Sequence, residues 1–223
     1  MTAIVSGVES RARLSGGSAN GAIHDMVEQM LVEAGAAGTL VDVGCGTGDL
    51  WRRLHGRFNR VIGLDAVRYD GLPQDVTFKA ANLDEPLPIA DALADVTTAV
   101  EVIEHLESPR AFMRELARIT RPGGLVVVTT PNQLSALSLM TLVLKGRFSA
   151  FQERDYPAHR TALLEIDLRR IAAESGLEDV RIAYSRRGRL PLTPWHYPGP
   201  IAAVAPKWCS DNVALMGRCA SRS

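Results

Sequence analysis

The sequence predicts a single α/β domain: a seven-stranded, mostly parallel sheet with helices on both faces and an antiparallel strand pair at the C-terminus. Three observations predict it. Short apolar runs alternate with segments of helical period along most of the chain. The runs are apolar at nearly every position, as strands covered on both faces are, rather than at every second one. A chain of 223 residues with 46% apolar and 22% charged side chains fits one substantial globular domain.

The elements follow in order. Residues 1–20 are rich in Gly and Ser and read as a flexible N-terminal arm, leaving 21–223 as the domain. Ile23, Met26, Val27, Met30 and Leu31 form one stripe of a helix over 22–34. Thr39 to Val43 is a first strand that stops at a glycine cluster, and Leu50, Trp51 and Leu54 mark a helix after it. Val61 to Leu64 is a second strand ending in Asp65, Val76 to Phe78 a weaker third, and Asp95 to Val100 a fourth. Ser108-Pro109 is an N-cap followed by Pro at the first helical position, with Phe112, Leu116 and Ile119 continuing the helix. Pro122-Gly-Gly124 stops it, and the β-branched run Leu125 to Thr130 is the fifth strand. Leu134 to Leu144 is an apolar helical stretch, and Thr161 caps a helix running to Ser175. Leu177 to Tyr184 and Asn212 to Met216 are the last two strands. Two segments, 133–160 and 186–211, are expected as lid-like insertions; the second holds five prolines and the cluster Trp195-His196-Tyr197.

Composition excludes several classes. Basic and acidic residues balance at 25 each, so net charge points neither to nucleic acid nor to an anionic membrane. The balance hides an asymmetry: residues 1–106 are net −7 and residues 107–223 net +7. Two solvated surfaces explain it, as does a second half that faces an anionic substrate. Cys45, Cys209 and Cys219 have no ligand spacing and suit a reducing, cytoplasmic setting. No apolar run reaches the roughly 18–20 residues a membrane span needs. The N-terminus lacks a basic start before an apolar core and is not read as a signal peptide.

Chemistry enters at Val41-Asp-Val-Gly-Cys-Gly-Thr-Gly48, which joins strand to helix. Glycines at 44, 46 and 48 let the backbone turn sharply and approach a ligand. The dinucleotide fingerprint GxGxxG is not met, because Asp49 stands where its third glycine belongs. Asp42, just before the loop, repels a diphosphate but tolerates a cationic ligand. Asp65 lies 21 residues after Gly44, where a carboxylate can accept hydrogen bonds from a ribose diol.

DVGCGTG, the following GLD, and EVIEHLESP…ELARITRPGGLVVVTTPN together resemble the class I S-adenosylmethionine-dependent methyltransferases, closely over residues 38–132. The resemblance implies a Rossmann-like fold and S-adenosylmethionine as cofactor. It implies that Gly44, Gly46 and Gly48 line the methionyl and ribose portion and that Asp42 orients the loop and the ammonium side. Asp65 would hold the ribose hydroxyls, Asn82 and Leu83 would meet the adenine, and Glu101 would support cofactor contacts. Many relatives carry Asp where Asn82 stands; its amide oxygen still accepts from the adenine amino group.

Glu101-Val-Ile-Glu104-His105 follows the fourth strand, beyond the carboxyl ends of the strands, where ligands of such folds bind. Three readings stay open. Glu101, Glu104 and His105 brace the structure; or His105 and Glu104 are catalytic, with the imidazole removing an acceptor proton; or Glu101, Glu104, His105 and the later His159 hold Mg²⁺ or another divalent metal. ExxEH with a downstream His is similar to metal-dependent small-RNA 2′-O-methyltransferases, and ExxEH is also similar to ubiquinone-pathway O-methyltransferases. The long basic RNA-binding parts of the former are absent.

The expected activity is O-methylation of a small-molecule sugar hydroxyl or phenol, with nucleic acid not favoured as partner. RNA ribose methylation and non-catalytic cofactor binding are the alternatives. Phe148, Phe151, Tyr156, Trp195 and Tyr197 offer flat surfaces to an acceptor ring, and His196 sits beside the last two. Arg147, Arg154, Arg160, Arg186, Arg187 and Arg189 offer donors to a phosphate or carboxylate.

Overall fold

A computed structural model of the chain describes residues 16–221. Its seven strands are β1 (Gly38–Val43), β2 (Phe58–Asp65), β3 (Thr77–Ala80), β4 (Ala94–Ala99), β5 (Thr120–Pro131), β6 (Leu177–Tyr184) and β7 (Asn212–Cys219). They lie in the order β3-β2-β1-β4-β5-β7-β6. The first five pair in parallel, and β7 enters antiparallel between β5 and β6. Strand order reverses between β1 and β4, so a crevice opens beyond their carboxyl ends.

Helices cover both faces. On one, α1 (Gly21–Glu33) and α2 (Asp49–Leu54) pack Val27, Leu31 and Leu54 against Leu40, Val96 and Val127. On the other, α3 (Pro109–Ile119) and α5 (Glu165–Glu174) pack Leu116, Leu168 and Ile171 against Val41, Val126 and Val128. Val126 and Val127 thus face opposite layers, which is why the strand is apolar at consecutive positions. In α3, Phe112, Met113, Leu116 and Ile119 are all buried, each contributing about 1.5–3 kcal/mol by leaving water. Ser108 Oγ accepts from the Ala111 N–H and Pro109 opens the helix, as the sequence predicts.

Three expectations need correction. Thr161 does not cap a helix: α5 begins at Glu165 after Leu164, because the Thr161 N–H donates to the Glu104 carbonyl instead. Pro122-Gly-Gly124 does not terminate α3, which ends at Ile119; these residues belong to the start of β5, where the pairing with β4 shifts register. Of the expected arm, 1–15 lies outside the described residues, whereas Gly17 to Asn20 pack on the glycine loop: the Thr47 N–H donates to Gly17 O, and Ser18 Oγ donates to Asp49 Oδ2 at 2.7 Å.

Segment 133–160 carries α4 (Ala136–Lys145) and a 3₁₀ turn at Glu153–Asp155, and segment 186–211 carries α6 (Gly199–Val204). Both are tied to the end of β5. Asn132 Nδ2 donates to Lys207 O and Ser210 O, and Asn132 Oδ1 accepts from the Leu134 N–H at 3.1 Å. No helix among the described residues is long and apolar enough to cross a membrane.

Candidate active site

A cleft of about 700 Å³ runs along the carboxyl ends of β1, β2, β4 and β5. Asp42, Gly44, Asp65, Asn82, Leu83, Glu101, Glu104, His105 and His159 all line it. One cavity therefore joins the glycine loop, the acid of the second strand and the ExxEH segment, which are far apart in sequence.

The end of the cleft at β1 and β2 is built around the loop after β1. Gly44 has φ +77° and approaches the segment after β4 so closely that a Cβ would stand 2.3 Å from Val102 Cγ2. Gly46 has φ +49°, and a Cβ there would stand 2.0 Å from Gly17 O. Both conformation and space demand glycine. Gly46→Ala is expected to displace the 16–20 segment and cost about 2–3 kcal/mol of stability, read as a lowered thermal midpoint; an unchanged midpoint would refute the close packing.

Two acids frame this loop. Asp42 is buried, accepts from Thr98 Oγ1 at 2.7 Å, and is pushed up to about 6 by burial. Asp65 Oδ2 accepts the Gly46 N–H at 3.0 Å and Oδ1 the Val67 N–H at 3.5 Å. Burial raises its pKa, against the pull of these backbone donors. Asn82 closes a turn: its Oδ1 accepts from the Asp84 N–H and its Nδ2 donates to Glu85.

At the carboxyl ends of β4 and β5 the structure clusters three of the four expected metal ligands. Glu104, His105 and His159 place one ligand atom each within 4.8 Å of one another. Glu101 stands outside this group. Its carboxylate accepts from Thr129 Oγ1 at 2.8 Å and Asn212 Nδ2 at 2.7 Å, and its backbone takes a left-handed φ of 53°. Burial and the neighbouring Glu104 raise the Glu101 pKa well above the carboxylate range.

Glu104 is fully buried, and neither of its carboxylate oxygens has a hydrogen-bond partner among the described residues. Burial pushes its carboxyl up to about 8, although the nearby Thr130 hydroxyl and its own backbone N–H, neither in hydrogen-bond geometry, pull the other way. Such an orphaned pair of oxygens is rare in native proteins and points to a missing ion or proton. The two imidazoles are prepared in the same way. His105 Nδ1 donates to Ala158 O at 2.9 Å, and His159 Nδ1 donates to Ala150 O. A carbonyl can only accept, so in each neutral ring Nε2 keeps its lone pair free. Burial lowers both pKa values, favouring that neutral form.

His159 is brought across 54 residues by backbone pairing. The Arg160 and Thr161 N–H groups donate to Glu104 O at 2.9 and 3.0 Å, and the rings of His105 and His159 lie 4.9 Å apart. Phe151 packs on His159 at 5.4 Å. Among the expected acceptor-facing aromatics only Tyr156 lines the cleft, and among the six arginines only Arg154 and Arg189 do. Trp195 is exposed away from it, while its neighbour His196 reaches the cleft rim. Sequence reasoning missed the Gly17–Asn20 strap, His24, Thr129 and Asn212. Only the TPN ending of β5 and the Gly-rich strap carried any local signal of them.

Comparison with known proteins agrees with this architecture. A family model described as a methyltransferase domain matches residues 17–182. A probable S-adenosylmethionine-dependent methyltransferase of Mycolicibacterium smegmatis is 36% identical over 121 residues, covering 50% of this chain and 45% of that protein. A ubiquinone biosynthesis O-methyltransferase of Cupriavidus pinatubonensis is 30% identical over 161 residues, covering 67% and 64%. The match thus spans about half to under two thirds of these relatives' lengths. A solved SAM-dependent methyltransferase from Archaeoglobus fulgidus superposes with a TM-score of 0.61 at 16% identity, over 87% of this chain and 94% of that one, which shows the fold. With the sheet order, the glycine loop and the acid at the end of β2 in place, the chain belongs to the methyltransferase-domain family.

Proposed function

We propose that this protein transfers the methyl group of S-adenosylmethionine to an oxygen of a small-molecule acceptor, a sugar hydroxyl or phenol with a neighbouring hydroxyl. The observation that carries this reading is the Glu104–His105–His159 group, which shares one cleft with the glycine loop and Asp65. Asp65 accepts from the ribose hydroxyls, the glycine loop lets the cofactor approach, and Asp42 sets a negative field beneath the positively charged ligand. Methyl transfer breaks the sulfur–methyl bond, forms an oxygen–methyl bond, and releases the acceptor proton and neutral S-adenosylhomocysteine.

The orphaned Glu104 oxygens and the two free Nε2 lone pairs fit a divalent metal, held by Glu104, His105 and His159. Such an ion would chelate vicinal hydroxyls and lower the acceptor's pKa. Glu101, fixed by Thr129 and Asn212, positions the strand end instead of completing the ligand set. The neutral His105, its Nδ1 held by Ala158, also supports a second reading in which Nε2 takes the acceptor proton without metal.

Chelator treatment separates the two. Under the metal reading, activity on a catechol acceptor falls at least about 100-fold and returns with added divalent metal. Full activity in chelator would end the metal reading and leave His105 as base. His105→Ala is expected to lower turnover by about 10²–10⁴ with little change in cofactor affinity; undiminished turnover would remove both.

A further inference from the structure

We propose that His24 recognises the amino-acid carboxylate of the cofactor, so that the cleft selects adenosyl ligands carrying that carboxylate over those lacking it. The inference rests on the cofactor reading above. His24 sits in the first turn of α1, is 5% exposed and lines the cleft. Its backbone N–H donates to Asn20 O at 3.4 Å, but its imidazole makes no hydrogen bond with another described residue. A histidine this deeply buried is ordinarily bonded, so an unpartnered ring facing a cavity points to a ligand group.

Its place in the fold says which group. The strap that leads into α1 lies on the glycine loop, through Gly17 O on the Thr47 N–H and Ser18 on Asp49. Asn20 then caps α1 by accepting the Ala22 N–H. With the ribose at Asp65 and the base at Asn82 and Leu83, the amino-acid tail is the part of the cofactor left to meet the loop and this strap. The start of a 13-residue helix adds a favourable field for an anion.

The charged groups facing His24 are Asp49 and Arg53 from α2 and Asp25 from α1. All are engaged: Asp49 with Ser18 and Arg52, and Arg53 with Asp25. None takes the imidazole. Burial lowers the His24 pKa from 6.5, against the pull of Asp49 and Asp25, which favours the neutral ring. A carboxylate raises that pKa, and binding near neutral pH then takes up a proton. Affinity is greatest at low pH and falls as pH rises through the ligand-bound pKa.

Two probes test this: S-adenosylhomocysteine, which has the carboxylate, and 5′-methylthioadenosine, which does not. His24→Phe keeps the ring volume and removes the N–H; His24→Gln keeps a neutral donor and serves if the Phe variant does not fold. His24→Phe is expected to bind S-adenosylhomocysteine roughly 10- to 100-fold more weakly and 5′-methylthioadenosine about as well as the parent. His24→Gln falls between, and calorimetry in two buffers shows proton uptake for the parent but for neither variant. Unchanged affinity for S-adenosylhomocysteine, or equal loss for both probes, overturns the assignment. A parent protein that binds neither probe sinks the cofactor reading itself, a different result.

Discussion

Asp65→Ala is expected to weaken binding of S-adenosylhomocysteine by at least about 100-fold, read by titration calorimetry. Two ribose hydroxyls donating to one carboxylate form charge-assisted bonds worth about 1.5–3 kcal/mol each. Losing both amounts to two or more factors of ten, at about 1.4 kcal/mol per tenfold. A second contribution adds to it. Asp65 Oδ2 also accepts the Gly46 N–H, so alanine frees the loop proposed to carry the cofactor. Asp65→Asn retains an oxygen acceptor but no charge and is expected to lose less. An alanine variant with parental affinity would remove the ribose assignment and leave Asp65 as a loop anchor only.

Glu104→Gln is expected to change how stability depends on pH. Burial raises the Glu104 carboxyl from 4.5 to about 8, against the opposing pull of the Thr130 hydroxyl and its own backbone N–H. In the unfolded chain it ionises near 4.5, so between about 4.5 and about 8 only the folded form keeps the proton. Its contribution is therefore fully present below the unfolded value and lost as pH rises through the folded one. In chelator, the thermal midpoint of the parent should fall steeply from pH 5 to pH 8, and that of the Gln variant less steeply. Some slope remains, because Glu101 is raised as well. Added divalent metal should restore the parent at pH 8 and leave the variant where it is. Equal slopes in chelator would mean that Glu104 is solvated or paired, and the metal reading would lose its main physical support.

The two ends of the cleft differ in how far the sequence reveals them. The glycine loop and Asp65 lie within two consecutive strand ends, so local geometry and a 21-residue spacing place them together. The end proposed to take the acceptor is assembled from four separate regions. Glu104 and His105 are neighbours, but His159 reaches them only because Arg160 and Thr161 pair with the Glu104 carbonyl. The same pairing moved the start of α5 past Thr161. Glu101 reads as a ligand in the linear motif, and the structure pairs its carboxylate with Thr129 and Asn212, on β5 and β7. His24, on an ordinary amphipathic helix, carried no linear sign at all.

Periodicity and turn chemistry by themselves determined the layered sheet, both helical faces and the loop after β1, since each follows from interactions between residues close in the chain. The tertiary structure alone decided which carboxylate is left without a partner, which two imidazoles share a wall, and which arginines reach the cleft. Those outcomes depend on hydrogen bonds between residues up to 111 positions apart, which no local pattern specifies.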